Sequence, residues 1–411
     1  MNNALTHPLR CVHYLDSVSL ASGGVVRAVL DLCGALARHG HTVTLVTWDD
    51  RDVPNDWRDQ RQGVPTILRI ERPRAGFLLS KAARQSVESL LEQTDVLHLH
   101  TPWDPGNIWF ARAARRRGVP YVVTVHGMLD DWSMAQRSTK KRLYLALAGR
   151  RMLEGASAVH CTAEAEERQA RGWIPKGRFV VLPCLLDLAP FHQSADRDIS
   201  RQKFGLPADD VPVVLFLSRL HPKKGIEHLI DAAGLAKQEG RQLRVVVAGT
   251  GEADYEQSLR RQVADADLEG TIQFVGLVVG ELKYSLYQAA DLFVLPTHQE
   301  NFGLVLIEAM ASGTPVVTTR GVDIWMEIES AGGVIVAGNS QSIWDAIRSI
   351  VNQPDHGRQL GHQGREWVMT HFNEAQSVGC YQSLYASIAD GDRETIPSSH
   401  DNQGREIATE K

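Results

Sequence analysis

Cysteine is scarce in this chain of 411 residues, with five scattered copies (Cys11, Cys33, Cys161, Cys184 and Cys380) and no Cys-x-x-Cys pair. That spacing excludes a disulfide framework and a structural zinc site, and it suits a reducing compartment. No apolar run reaches the ~20 residues that a membrane-crossing helix needs. The opening MNNALTHPLRCVHYL lacks the charged-then-apolar layout of a signal peptide, so a cytoplasmic protein is expected. The first strand-to-helix turn has no Gly-x-Gly-x-x-Gly fingerprint, which argues against a dehydrogenase. What remains is ordinary globular composition, 43% hydrophobic and 23% charged with a formal net charge of −5. Such a length suggests two or three domains, two being the better fit once a tail is removed.

The dominant rhythm is a short β-branched run, a turn, then an amphipathic helix. CVHYLD (11–16), TVTLVT (42–47), DVLHLH (95–100), PYVVTVH (120–126) and ASAVHC (156–161) read as strands of a first series. VPVVLFLS (211–218), LRVVVAG (243–249), TIQFVG (271–276), DLFVLP (291–296) and TPVVTT (314–319) read as a second. They are continuously apolar rather than alternating, as parallel strands covered on both faces should be. Between the strands, VVRAVLDLCGALARHG (25–40) places Val25, Val29, Leu32 and Leu36 on one face. Further helices are predicted near 225–239, 253–266, 280–289 and 303–312. Two such series predict two doubly wound α/β domains. The polar stretch 192–210 is taken as the boundary, giving a first domain of 1–195 and a second of 196–372. A helix over 373–390 is expected to pack back toward the first domain, and 391–411 is expected to be a disordered tail.

Ligands of an open α/β sheet bind beyond the carboxyl ends of its strands, so the strand-to-helix loops carry the information. SRLHPKKG (218–225) puts Arg219, Lys223 and Lys224 in such a loop with Gly225 opening the next helix. It reads either as an anion site or as a solvated basic loop. In HQENFGLVLIEAMASGTPVV (298–317), Glu300 lies in a loop and Glu308 two turns into a helix. Carboxylates there suit sugar and ribose hydroxyls, and Glu308 in its apolar setting needs a partner. Asn301, Phe302, Gly303 and Leu304 lie at the helix N-terminus, whose free N–H groups can hold a phosphate or a sugar hydroxyl. Ser22-Gly23-Gly24 fills the first strand-to-helix loop, as a close-approach site or a plain turn. His126-Gly127 ends a strand, where a lone histidine is often structural.

SRLHPKKG, VVVAGTGE (245–252, with Gly251) and ENFGLVLIEAMASGTPVV together resemble the donor-binding half of family 4 retaining glycosyltransferases. The resemblance runs from about residue 10 to residue 390, and its most specific part is the two glutamates eight apart followed by AMASGTPVV. It implies the GT-B fold, two Rossmann-like domains facing across a cleft. It implies that Arg219 and Lys224 hold a nucleotide diphosphate and that Glu300 touches the transferred sugar. Asn301, Phe302, Gly303 and Leu304 would offer backbone groups, Glu308 would bind the ribose, and Gly276-Leu277 would cradle the base. Gly23, Gly24 and His126 match the family's glycine pair and sugar-facing histidine. The family's Pro-Asn-Gly-Val-Asp is replaced here by Pro183-Cys184-Leu185-Leu186-Asp187. VHGMLDDW (125–132) resembles a subgroup associated with bacterial cell-surface polysaccharides.

The expected reaction is transfer from a UDP- or GDP-linked sugar to a saccharide or polyprenyl-linked acceptor, with retention and without cofactor or metal. Three Asp-x-Asp pairs (Asp50/Asp52, Asp196/Asp198 and Asp265/Asp267) are read as solvated acids rather than metal ligands. A phosphorylase, an epimerase or a non-catalytic binding subunit on the same fold are the alternatives. No nucleic-acid partner is expected. Residues 111–151 carry ten Lys/Arg against Asp130 and Asp131. Within that region 138–153 reads as a basic amphipathic helix for the inner membrane surface, or as one whose Leu143, Leu147 and Met152 pack inward.

Overall fold

The computed structural model describes residues 8–59, 61–73, 78–192, 196–206 and 211–391. The chain divides into two units: one runs to Leu186 and is rejoined at Glu374, and the other is Asp187–Asn373. The first unit holds β1 (Arg10–Tyr14), β2 (Thr42–Thr47), β3 (Thr66–Arg69), β4 (Val96–His100), β5 (Tyr121–Thr124), β6 (Ala158–Cys161) and β7 (Phe179–Val181). Their order is β3-β2-β1-β4-β5-β6-β7, and each neighbouring pair is parallel. The second holds β8 (Val213–Leu217), β9 (Arg244–Ala248), β10 (Ile272–Gly276), β11 (Leu292–Leu295), β12 (Val316–Thr319) and β13 (Val334–Val336), ordered β10-β9-β8-β11-β12-β13 and again parallel. Among the described residues no helix is long and apolar enough to cross a membrane.

Strand alternation distributes the first unit's apolar residues to two cores. Val12, Leu97, Leu99 and Val123 face one core with Phe110 and Leu153. Cys11, Val96, Val122 and Ala158 face the other, beneath Val29 and Leu36 of the helix Gly24–Arg38. The helix Glu374–Ala389 closes this second face with Val378, Tyr381, Leu384 and Tyr385. Its start is tied down where Arg38 Nη2 lies 2.5 Å from Glu374 Oε2. Central β4 and β8 are buried at every position, whereas edge β3 and β13 are only partly covered. That difference is what continuous apolar runs in the middle of a two-sided sheet produce.

Four points differ from or refine the expectations. First, the chain leaves the first unit after Leu186 rather than near residue 195. The charge after it is ion pairing within the second unit, not linker solvation. Arg197 and Arg201 of the helix Arg197–Lys203 both bind Asp291, and Phe191 packs on Tyr284 with ring centroids 4.8 Å apart. Second, the helix expected over 373–390 spans Glu374–Ala389 and follows another, Pro354–His371, with the unit division between them. The tail beyond residue 391 lies outside the described residues. Third, the helical run over 138–153 is unbroken but not regular α-helix throughout. Ser138–Tyr144 runs into a π-helical turn, Leu145–Gly149, and then Arg150–Glu154. Leu145 and Met152 are buried, while Leu143 and Leu147 are 58% and 76% exposed. Fourth, β3, β7 and β13 were not read as strands, being three or four residues long.

Arg201 is 2% exposed, with Asp291 Oδ2 at 2.7 Å and the Ala289 carbonyl accepting from its Nε at 3.1 Å. The same Asp291 oxygen accepts the Val213 amide at 2.7 Å, joining the helix to the start of β8. Asp291→Ala leaves a buried guanidinium without its carboxylate, so it should cost about 3 kcal/mol. Asp267→Asn removes only the charge of the exposed pair with Lys237, at a position whose φ of 52° asparagine also tolerates. Urea unfolding should show a lowered midpoint for the first variant and an unchanged one for the second.

Candidate active site

In the second sheet β8 and β11 are neighbours although two strands separate them in sequence, so the winding reverses there. The loops beyond their carboxyl ends lie side by side, and this is where an open α/β sheet binds ligands. The loop after β8 carries Arg219 and turns through Pro222–Lys224, where the His221 ring accepts the Lys223 amide at 3.0 Å. Gly225 follows at φ 62°, and a Cβ there would come 2.2 Å from the Pro296 carbonyl oxygen, so only glycine fits. The loop after β11 grips the first loop through its backbone. Thr297 Oγ1 and the His298 amide both donate to the Lys223 carbonyl, at 2.9 and 2.8 Å.

This docking brings Lys224 and Glu300 into a direct ion pair. Lys224 is 6% exposed. Burial pushes its ammonium below the usual lysine range, and Glu300 opposes that shift. Burial likewise pushes the Glu300 carboxyl up, but the Lys224 charge and hydrogen bond outweigh it and hold the carboxyl below its usual range. The Glu300 carboxyl is therefore ionised at neutral pH, facing the Lys224 ammonium. Arg219 is exposed beside them. Asn301 through Gly303 lead into the helix Leu304–Ala311, with Gly303 at φ 70°. The side chain of Phe302 is 4% exposed and packs on Phe372, so only its backbone can serve a ligand.

Glu308 is 2% exposed, and its partners come from the helix Glu281–Ala289. Lys283 Nζ lies 2.5 Å from Oε1 and the Tyr287 hydroxyl donates to Oε2 at 2.8 Å. Lys283 and Tyr287 escaped the sequence reading; their spacing of four on one helix face was the available signal. Gly251 pairs as an isolated bridge with Leu220, and a Cβ on it would meet the Leu220 carbonyl oxygen at 2.0 Å. Leu277 follows β10 and is 50% exposed.

In the first unit Gly23 sits at φ 106° and ψ −162°, a conformation open to glycine alone, and Gly24 begins the helix. His126 follows β5 at φ 50°. The next amide, of Gly127, is held by the buried carboxylate of Glu166, which also accepts from Thr162 N at 2.5 Å. Asp104, beyond β4, is a titratable group the sequence reading missed. Burial pushes its carboxyl up to about 6, with Asp16 adding to the effect.

The Asp-x-Asp pairs are not all solvated. Asp50 is 9% exposed and takes Arg58 at 3.0 Å, and Asp52 accepts the Leu20 amide at 2.7 Å. Asp196 caps its own helix, and Asp267 pairs with Lys237. Lys141 is not merely solvated either: its ammonium donates to the Ser133 carbonyl at 2.5 Å and lies 5.1 Å from the Trp103 ring centre.

Two family profiles match this chain. "Glycosyl transferases group 1" covers residues 196–367, and "Glycosyl transferase 4-like domain" covers residues 23–184. A D-inositol 3-phosphate glycosyltransferase of Kineococcus radiotolerans is 31% identical over 65% of this chain and 66% of its own length, so the match spans just under two thirds of that relative. One from Actinosynnema mirum is 30% identical over 67% of this chain and 70% of its own length. The alpha-monoglucosyldiacylglycerol synthase of Streptococcus pneumoniae is 27% identical over 74% and 69%. Among solved structures, sucrose-phosphate synthase from Thermosynechococcus elongatus superposes with a TM-score of 0.75 at 24% identity, over 93% of this chain and 100% of that one. Anabaena HepE in complex with UDP and glucose gives 0.76 at 20%, over 92% and 100%. The chain belongs to the group 1 glycosyltransferases, and its two units are the Rossmann-like halves of the GT-B fold.

Proposed function

We propose that this chain is a retaining, metal-independent glycosyltransferase that moves a sugar from a UDP- or GDP-linked donor to a saccharide or polyprenyl-linked acceptor. Its setting would be cell-surface polysaccharide synthesis at the inner face of the plasma membrane. The observation that carries the reading is the Lys224–Glu300 pair beside Arg219, at the point where β8 and β11 meet. When the glycosidic bond to the donor breaks, negative charge grows on the leaving diphosphate oxygen. Arg219 and the N-terminus of Leu304–Ala311 are positive groups fixed before reaction, so they need not reorganise as that charge appears. An ammonium has three donors. Lys224 can thus keep Glu300 with one and offer another to the phosphate, while Glu300 accepts from a sugar hydroxyl. The UDP- and glucose-bound structure named above supports a nucleotide-sugar donor for this chain.

Metal independence rests on the acids. Asp50 and Asp52 face different partners, Asp196 caps its helix, and Asp267 is paired with Lys237. The positive charge a metal would bring is supplied by side chains and a helix terminus. Membrane contact rests on charge. Arg115, Arg142, Arg150, Arg151 and Lys176 line an open basin of about 600 Å³ with Trp173 and exposed Leu147. None of these five cations has an ion-pair partner among the described residues. Anionic headgroups match that basin, and the lipid product in the name of the Streptococcus pneumoniae relative fits an acceptor presented at a bilayer.

The direct test is incubation of the full chain with labelled UDP- and GDP-sugars and a polyprenyl-linked acceptor. Glycosylated acceptor plus nucleoside diphosphate is the expected product pair. Sugar phosphate would identify a phosphorylase, and an isomerised donor an epimerase. Arg219→Ala should lower kcat about a hundredfold to a thousandfold with the fold intact by circular dichroism. Turnover close to that of the native chain would remove the phosphate assignment. Activity should persist in EDTA; complete loss reversed by magnesium would reject the metal-free mechanism. In vesicle sedimentation, changing Arg142, Arg150 and Arg151 to Ser should weaken binding to anionic vesicles roughly a hundredfold. Equal binding of the native chain to neutral and anionic vesicles would overturn the membrane reading.

A further inference from the structure

A belt of polar side chains crosses the second face of the first sheet, inside a core that is otherwise apolar. Parallel register sets it: His13 pairs with His98, His100 with Thr124, and Thr124 with His160. Tyr381 and Tyr385 of the helix Glu374–Ala389 lie over it, their rings 5.4 Å from His160 and 5.8 Å from His98. His13, His98, His100 and His160 are each at most 2% exposed. Burial lowers His13 to about 3 and His160 to about 4, and takes His98 and His100 well below the usual histidine range. It lowers His126, just beyond the belt, to about 3 as well. Each ring is therefore neutral and carries a single N–H, so the position of one proton dictates the next.

The first arm of the belt is decided by a carbonyl. His160 Nε2 lies 2.8 Å from the Leu182 oxygen, which can only accept, so Nε2 holds the proton and Nδ1 is bare. Thr124 then donates its hydroxyl proton to that Nδ1 at 2.8 Å and accepts from His98 Nε2 at 2.6 Å. His98 Nδ1 is left bare and accepts from the Tyr385 hydroxyl at 2.6 Å. Every group in this arm is satisfied. Ligand atoms of His13, His98 and His100 do fall within 4.8 Å of one another. A metal ion there would have to break this arm, because His98 has no lone pair to spare.

The second arm runs outward. His13 Nδ1 and His100 Nε2 are 3.1 Å apart, and His100 Nδ1 and His126 Nε2 are 3.2 Å apart. At the inner end His13 Nε2 is buried without a partner. The arm has two proton arrangements. One strands an N–H at His13 Nε2; the other strands only a lone pair. On the backbone, buried orphaned N–H groups are rarer than under-satisfied acceptors, and the ring is assigned by the same preference. The lone-pair arrangement puts protons on Nδ1 of His13, of His100 and of His126. His126 itself is half-buried, and its Nδ1 has no partner among the described residues.

We propose that His100, on a buried arm whose inner end has no partner, is a positioning residue that fixes His126 as its Nδ1–H tautomer, so that it offers substrate a hydrogen-bond donor and not a base. The recognised group is then an oxygen lone pair of the sugar substrate. This rests on the reading of His126 as a substrate-facing residue.

The test uses the full chain labelled with nitrogen-15 histidine, free of donor and acceptor, with His126 assigned by loss of its signals in His126→Gln. Long-range proton–nitrogen spectra should show His126 protonated at Nδ1 and bare at Nε2. His100→Met removes the neighbour without changing its bulk much, and the Nδ1–H form should give way to a mixture of tautomers. His13→Phe only moves the buried, partnerless end of the arm to His100 Nε2, which again prefers to strand a lone pair, so the Nδ1–H form of His126 should persist. A proton on Nε2 of His126 in the native chain would overturn the proposal. So would an undiminished Nδ1–H form in His100→Met, or its loss in His13→Phe. Because no sugar is present, absent transferase activity with the Nδ1–H form intact would count against the proposed function alone.

Discussion

Lys224 and Glu300 are 76 residues apart in sequence and meet because β8 and β11 are hydrogen-bonded neighbours. Much else in the second unit follows from that adjacency. Two loops of opposite charge are forced together at one end of a sheet, and each is shaped to permit the approach. Gly225 has no side chain because the Pro296 carbonyl occupies that space, and Thr297 spends its hydroxyl on the backbone of the facing loop. An ion pair so buried would be a poor source of stability by itself, since desolvation offsets most of its Coulomb gain. Its value is placement, with both charges held where a diphosphate and a sugar hydroxyl would arrive.

The same economy governs Glu308. A carboxylate in LVLIEAMAS would be untenable alone, and Lys283 and Tyr287 make it tolerable from a neighbouring helix. In the first unit the polar belt of histidines is accepted on similar terms. His98, Thr124 and His160 pass hydrogen bonds from Tyr385 to the Leu182 carbonyl with none left over, so the core carries polar groups with little unmet demand.

The alternation of apolar runs and amphipathic helices was legible because central parallel strands are buried on both faces, and β4 and β8 are the clearest cases. The loop residues Arg219, Lys224 and Glu300 were legible because an open sheet can bind only at its carboxyl ends. Edge strands β3, β7 and β13 were not, since three or four partly exposed residues carry no periodicity. The division at Leu186 was hidden because charge was read as solvation, whereas Arg197 and Arg201 use theirs on Asp291. The histidines of β1, β4 and β6 passed as members of apolar strands, because sequence spacing does not reveal which rings will share a face. The π-helical turn at Leu145–Gly149 left no mark beyond Gly149, where a Cβ would collide with the Tyr144 ring.

The helix Glu374–Ala389 belongs to the first unit although 187 residues of the second, Asp187–Asn373, are made before it. Domains ordinarily fold in the order of their synthesis, the amino-terminal one first. Here the ribosome releases all seven strands of the first sheet long before the helix that seals one of its faces. During that interval His98 and His160 face no tyrosines, and Cys11, Val96 and Val122 lie under an incomplete roof. The second unit has its whole sequence available earlier. Completion of the first unit thus waits for the helix Glu374–Ala389, and a stop just after Asn373 leaves a finished second unit attached to an unfinished first one.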